Sequence, residues 1–144
     1  MHLSTFLKKR GYIQIPLYKS GVGHFHTEGL LNGHLISVLI DTGASNTIFS
    51  LELIKKINLG LVKLPMQGGG AGSSKMDVYQ VQDPEFIVAG FSPKVKALFA
   101  MDFSHVNQAL EGKSEEPVEA VLGVDILEAH SAIIDYASNS LFLK

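Results

Sequence analysis

The segment Leu39-Ile40-Asp41-Thr42-Gly43-Ala44-Ser45 sets a carboxylate at the end of an apolar run and follows it with small residues. An aspartate in that position is either a turn or capping residue or part of a site. Its flanks favour a β framework. Upstream, residues 30–40 contain Asn32-Gly33, the strongest two-residue hairpin signal. Downstream, Thr47-Ile48-Phe49 is a β-branched and aromatic run. Residues 50–57 then place Leu53, Ile54 and Ile57 on one helical face, with Ser50 as N-cap and Lys55 and Lys56 near the C-terminal end of the dipole.

Further out, short apolar runs at 12–17, 76–81, 85–88, 95–99, 118–122 and 132–136 are separated by turn residues. Strands of this length and spacing predict an all-β barrel or sandwich. Residues 125–130 predict one or two helical turns, with Asp125 as the cap. The polar stretch 103–117 predicts a solvated surface loop.

At 144 residues, 46% hydrophobic and mean hydropathy +0.20, the chain can bury a real core, and residues 1–144 are expected to form one domain. Twelve basic and 14 acidic residues leave a net charge of -2. That balance offers no basic footprint for nucleic acid and no polybasic patch for a membrane. The absence of cysteine excludes disulfides, thiolate metal sites and thiol nucleophiles. No secretory apolar segment follows the N-terminal basic residues and no apolar run is long enough to span a bilayer, so a soluble, cytoplasmic chain is expected.

Gly68-Gly69-Gly70-Ala71-Gly72-Ser73-Ser74-Lys75 invites comparison with a phosphate loop. It lacks the Gly-Lys-Ser/Thr ending of that loop, and no helical run follows it. A hairpin tip fits better, with Met76 onward as the returning strand. His24 and His26 are two apart and would share a strand face. A zinc site needs further ligands and the sequence names none, so the pair is expected to be exposed strand histidines, without a metal. A metal hydrolase built on them is the least favoured alternative. His130 and Ser131 lie outside any Gly-x-Ser-x-Gly elbow.

Taken in order, these motifs resemble those of the retroviral-type (retropepsin-like) aspartic peptidases, especially their small bacterial single-domain branch. Residues 40–45 match the catalytic loop, and Gly68, Gly69, Gly70, Ala71 and Gly72 stand in the place of the flap. Ala120-Val121-Leu122-Gly123 matches the hydrophobic-hydrophobic-Gly motif that pairs with the catalytic loop, and Val124-Asp125-Ile126-Leu127 the short helix after it. The ending from Ile133 to Leu143 is also similar to the bacterial relatives. The resemblance implies an all-β, acid-protease closed barrel with one or two short helices and one Asp-Thr-Gly per chain.

One Asp-Thr-Gly per chain further implies a homodimer, with Asp41 facing its symmetry mate. Two carboxylates about 3 Å apart cannot both ionise and share a proton. One then activates a water for attack on a peptide carbonyl while the other donates to the developing oxyanion. Thr42 resembles the threonine that bonds across to the second loop, and Gly43 gives the turn room. Ala44 stands where pepsin-like enzymes often carry serine, so an activity optimum nearer neutral than that of gastric enzymes is expected. The chemistry calls for no cofactor and no metal, and the expected partners are a second copy and a peptide or protein substrate.

The chain departs from the viral pattern in two places. The stretch from Asp41 to Gly123 is longer than in a compact viral enzyme, with the excess expected in 91–116. Asp125 stands where viral enzymes often carry arginine. Residues 2–10 and 140–144 are candidates for terminal dimer strands. Ile48, Leu98 and Val121 are the expected apolar liners of the cleft. The alternative function is a dimeric binding module of the same fold with little or no peptidase activity.

Overall fold

The computed structural model describes residues 1–68, 75–113 and 115–144. They form, in order, α1 (Leu3–Lys9), β1 (Ile13–Pro16), β2 (Tyr18–Lys19), β3 (Phe25–Leu31), β4 (His34–Ile40), β5 (Ile48–Ser50), α2 (Leu51–Lys56), β6 (Leu61–Gly68), β7 (Met76–Val81) and β8 (Phe86–Val88). There follow β9 (Phe99–Met101), α3 (Ser104–Glu111), β10 (Ala120–Leu122), α4 (Val124–Ala129), β11 (Ile133–Asp135) and β12 (Ser140–Leu143). The mainly β architecture with short helices agrees with the expectation.

Local chemistry accounts for most of these elements. Asn32 and Gly33 both take positive φ (47° and 82°), the left-handed pair that turns β3 into β4. Alternation along β3 buries Phe25, Thr27, Gly29 and Leu31 and leaves the residues between them less covered. Ser50 caps α2 as expected, its Oγ accepting from the Leu53 N–H at 3.4 Å, and Leu53 and Ile54 are buried.

Other elements correct the sequence-based expectation. Asp125 is not the cap of α4. Gly123 occupies that position, and Asp125 lies in the first turn with its carboxylate turned to other work. Residues 103–117 are not simply a loop, because α3 forms within them. One apolar side suffices to hold it: Leu110 is buried, and Val106 packs with Phe103, Val118 and Val121. Asn107 adds a two-point clamp, accepting from the Val118 N–H at 2.9 Å and donating to its carbonyl at 3.3 Å. With α1 the described residues contain four helices rather than one or two. The strand expected at 95–99 forms later, at β9. Among the described residues no helix is long and apolar enough to cross a membrane.

The strands form two sheets. The smaller has the order β1-β12-β11. Its central strand, β12, is buried throughout and uses both edges, against β1 and β11. The larger sheet runs β2-β3-β4-β10-β5-β9-β7-β6, with β8 also on β3. Ile15, Leu141 and Leu143 of the first sheet and Phe49, Leu122 and Val38 of the second belong to one apolar core. Neither terminal segment offers a free strand at the expected place: most of 2–10 is α1, and residues 140–143 have no edge left.

The decisive feature for the site is the position of β10. It lies parallel to β4, with Leu122 beside Ile40, and antiparallel to β5, with Val121 beside Ile48. Residues 41–47 connect β4 to β5. Because β10 separates those strands, the connection has to cross the end of β10.

Candidate active site

Asp41 sits where that crossing begins. Its N–H donates to the Leu122 carbonyl at 3.0 Å, carrying the β4–β10 ladder one residue further. Its Oδ1 accepts from the Gly43 N–H at 2.8 Å, and its carbonyl accepts from the Ala44 N–H at 3.2 Å. This aspartate turn fixes the carboxylate against its own backbone. A Cβ on Gly43 would stand 3.2 Å from Asp41 Oδ1. Asp41 and Ala44 are half-buried, whereas Thr42 and Gly43 are exposed.

The far side of the crossing is held by Gly123 and Thr47. The Val124 N–H donates to the Ala44 carbonyl at 2.8 Å. A Cβ on Gly123 would lie 2.7 Å from the Ala44 oxygen and 2.8 Å from the Asn46 oxygen, so only hydrogen fits there. Thr47 is wholly buried. Its Oγ1 accepts from the Gly123 N–H at 3.0 Å and donates to Asp125 Oδ1 at 2.7 Å. Thus the sequence motifs at 41–44 and 121–123 meet in one hydrogen-bonded unit.

A cavity of about 610 Å³ opens beside this unit. One set of lining residues is Asp41, Gly43, Ala44, Ile48 and Val121. A second comes from the β6–β7 hairpin: Leu64, Met66, Gly68, Met76 and Val78. The hairpin register slips between Lys63 and Gln67, where Pro65 has no N–H to donate. A third set is Phe99, Met101, Asp102, Phe103 and Val106. The expected liners Ile48 and Val121 are therefore present. Leu98 is not among them: it is buried in the core and borders a separate cavity with Val62 and Phe86. Of the flap residues, Gly68 lines the cleft, whereas Gly69, Gly70, Ala71 and Gly72 lie outside the described residues.

Several contributors had little sequence signal. Asp102 Oδ1 accepts from the Ser104 Oγ at 2.6 Å and from its N–H at 2.8 Å. The Ser104 hydroxyl bond, then the backbone bond, hold the Asp102 carboxyl below its ordinary value. The Asp-x-Ser spacing ahead of a helix could have indicated this. Phe103 and Val106 gave no such hint inside a polar stretch. Outside the cleft, His24, His26 and Glu115 offer ligand-type atoms within 4.8 Å of one another.

The family model described as aspartyl protease matches residues 27–126, a span that includes both Asp41 and Gly123. Among solved structures the chain is similar to a retropepsin-like aspartic protease from Rickettsia conorii, with 20% identity, a TM-score of 0.58, and coverage of 92% of this chain and 90% of that one. It is similar to the retroviral protease-like domain of Ddi1 from Leishmania major, with 17% identity, a TM-score of 0.56, and coverage of 83% and 86%. It is also similar to EIAV protease complexed with the inhibitor HBY-793, with 22% identity, a TM-score of 0.50, and coverage of 77% and 91%. At these identities the likeness to solved structures is one of fold. Comparison with curated proteins gave no match.

Proposed function

Since the chain belongs to the aspartyl protease family, we propose that it is an aspartic endopeptidase acting as a homodimer, with Asp41 paired to Asp41 of a second copy. Residues 1–144 act in this proposal as one retropepsin-like protease domain. The observation that carries it is the placement of Asp41: its carboxylate is held by the Gly43 N–H at the edge of a peptide-sized, largely apolar cleft. Carboxylates of two such loops brought to about 3 Å share one proton. The ionised member takes a proton from a water between them, and that water attacks the scissile carbonyl. The protonated member donates to the oxyanion. Thr42, exposed beside Asp41, is free in this arrangement to bond across to the second loop. An extended peptide would lie along the β6–β7 hairpin and take strand-like hydrogen bonds from it.

Cleavage of a peptide library by wild type and by Asp41→Asn tests the proposal, with dimerisation followed by sedimentation. Wild type is expected to cut, to be blocked by a statine-type transition-state analogue, and to lose activity by roughly 10²–10⁴-fold or more on substitution. Its pH–rate profile should peak nearer neutral than those of gastric enzymes. Equal cleavage by both proteins would remove Asp41 from the mechanism. No cleavage by either, with both folded and dimeric, would favour a binding module of this fold.

A further inference from the structure

His24 lies just before β3, and His26 is its second residue. Extended backbone sends them to the same side, opposite the buried Phe25 between them. The segment after α3 brings Glu115 over that side. Glu115 Oε2 lies 2.9 Å from His24 Nδ1 and 3.6 Å from His26 Nε2. Its other oxygen, Oε1, accepts from the Ser20 Oγ at 2.5 Å, and that same Oγ accepts from the His24 N–H at 3.0 Å. The Glu115 side chain is only 3% exposed and that of His26 18%, while His24 keeps 39%.

We propose that His24 Nδ1, His26 Nε2 and Glu115 Oε2 bind a divalent cation of the zinc class, with water as a fourth ligand. A tetrahedral zinc with ligands at about 2.0–2.1 Å sets its ligand atoms about 3.3 Å apart. The observed 2.9 and 3.6 Å bracket that separation. At 3.6 Å the His26 Nε2–Glu115 Oε2 contact is an ion-pair distance rather than a hydrogen bond, so only His24 is hydrogen-bonded to that oxygen. A cation among the three atoms would engage all of them. Two imidazoles and one carboxylate suit zinc, cobalt or nickel, whereas calcium and magnesium prefer all-oxygen shells.

The surroundings are those of a prepared ligand. Ser20 holds the non-ligating oxygen of Glu115 and so orients the carboxylate from outside the site. His24 and Glu115 are 91 positions apart, so a bound ion would fasten the segment carrying α3 to the start of β3.

The test uses the tag-free full chain, stripped with chelator and titrated with zinc chloride by calorimetry. One ion per chain is expected, with micromolar or tighter affinity and a thermal midpoint that rises with zinc. Glu115→Gln and His24→Gln/His26→Gln should each weaken binding at least tenfold, whereas His105→Gln, outside the cluster, and Asp41→Asn should not. His24→Gln alone, at the most exposed ligand, guards against misfolding of the double variant and should also weaken binding. Cobalt in place of zinc should give the intense visible absorption of a four-coordinate centre. Absence of saturable binding by wild type would overturn the proposal. So would undiminished affinity in the folded ligand variants. Either result leaves the peptidase proposal standing, because the Asp41 cleft shares no residue with this cluster.

Discussion

Thr47 and Asp125, 78 positions apart, meet at 2.7 Å where the loop from β4 crosses the end of β10. The same threonine oxygen accepts the Gly123 N–H, so one hydroxyl serves a buried donor and a carboxylate at once. Thr47→Val preserves shape but leaves both partners short of a bond. It should cost roughly 1–3 kcal/mol in urea unfolding, because unsatisfied buried polar groups retain their desolvation penalty. Thr47→Ser should recover most of that. A Val variant as stable as wild type would show that the pair contributes nothing net.

Gly123 makes a sharper prediction. Any Cβ there meets backbone oxygens, not a side chain that could swing aside. Gly123→Ala must therefore displace residues 44–46 and, through them, the Asp41 turn. Overpacking of this kind costs about 1–3 kcal/mol. The proposed peptidase activity should fall by a larger factor than the loss of folded protein explains. An active, stable alanine variant would contradict the close approach.

Leu98 and Val121 separate core from cleft. Leu98→Ala, deep in the core, should lower stability by about 2–5 kcal/mol and leave the order of preference among peptides unchanged. Val121→Ala, on the cleft, should shift preference toward larger apolar side chains beside the scissile bond. Ranking both variants on one peptide panel checks this. A changed ranking for Leu98→Ala would mean that the core position controls the cleft.

Ser104 tunes Asp102. Its hydrogen bonds lower the Asp102 pKa below the ordinary aspartate value, so the fold favours the ionised form. The resulting stabilisation is present above the unfolded pKa and disappears as pH falls through the lower folded value. Ser104→Ala should thus show a stability deficit at about pH 6 that shrinks toward about pH 2–3, and a raised Asp102 titration by NMR. The effect should be small, because Asp102 is exposed. A deficit that grows on acidification would reverse the assigned sign.

Local signals told the truth about local structure. Asn32-Gly33 turned the β3–β4 hairpin, Ser50 capped α2, and the apolar run before Gly123 became β10. What escaped was set by distant partners. α3 is held by one apolar side and by Asn107 gripping Val118, so its polar composition pointed to a loop. Asp125 has the chemistry of a cap, yet the chain crossing brings Thr47 to it. His24 and His26 were visible as a pair, but Glu115 joins them only through tertiary placement. Leu98 and Val121 look alike in sequence, and only the fold assigns one to the core and the other to the cleft. Met66 and Gly68 reach that cleft through a hairpin whose register slips near Pro65.

The insertion of β10 between β4 and β5 also orders events during synthesis. A ribosome delivers Asp41 and its loop well before Ala120–Leu122 exists, and translation is slow compared with local folding. Until that later strand arrives, the Asp41 N–H lacks the Leu122 carbonyl and the loop has no strand end to cross. The nascent chain therefore carries the whole Asp-Thr-Gly signature in an unassembled form. Completion of the site therefore waits on residues 120–122, which are synthesised well after Asp41.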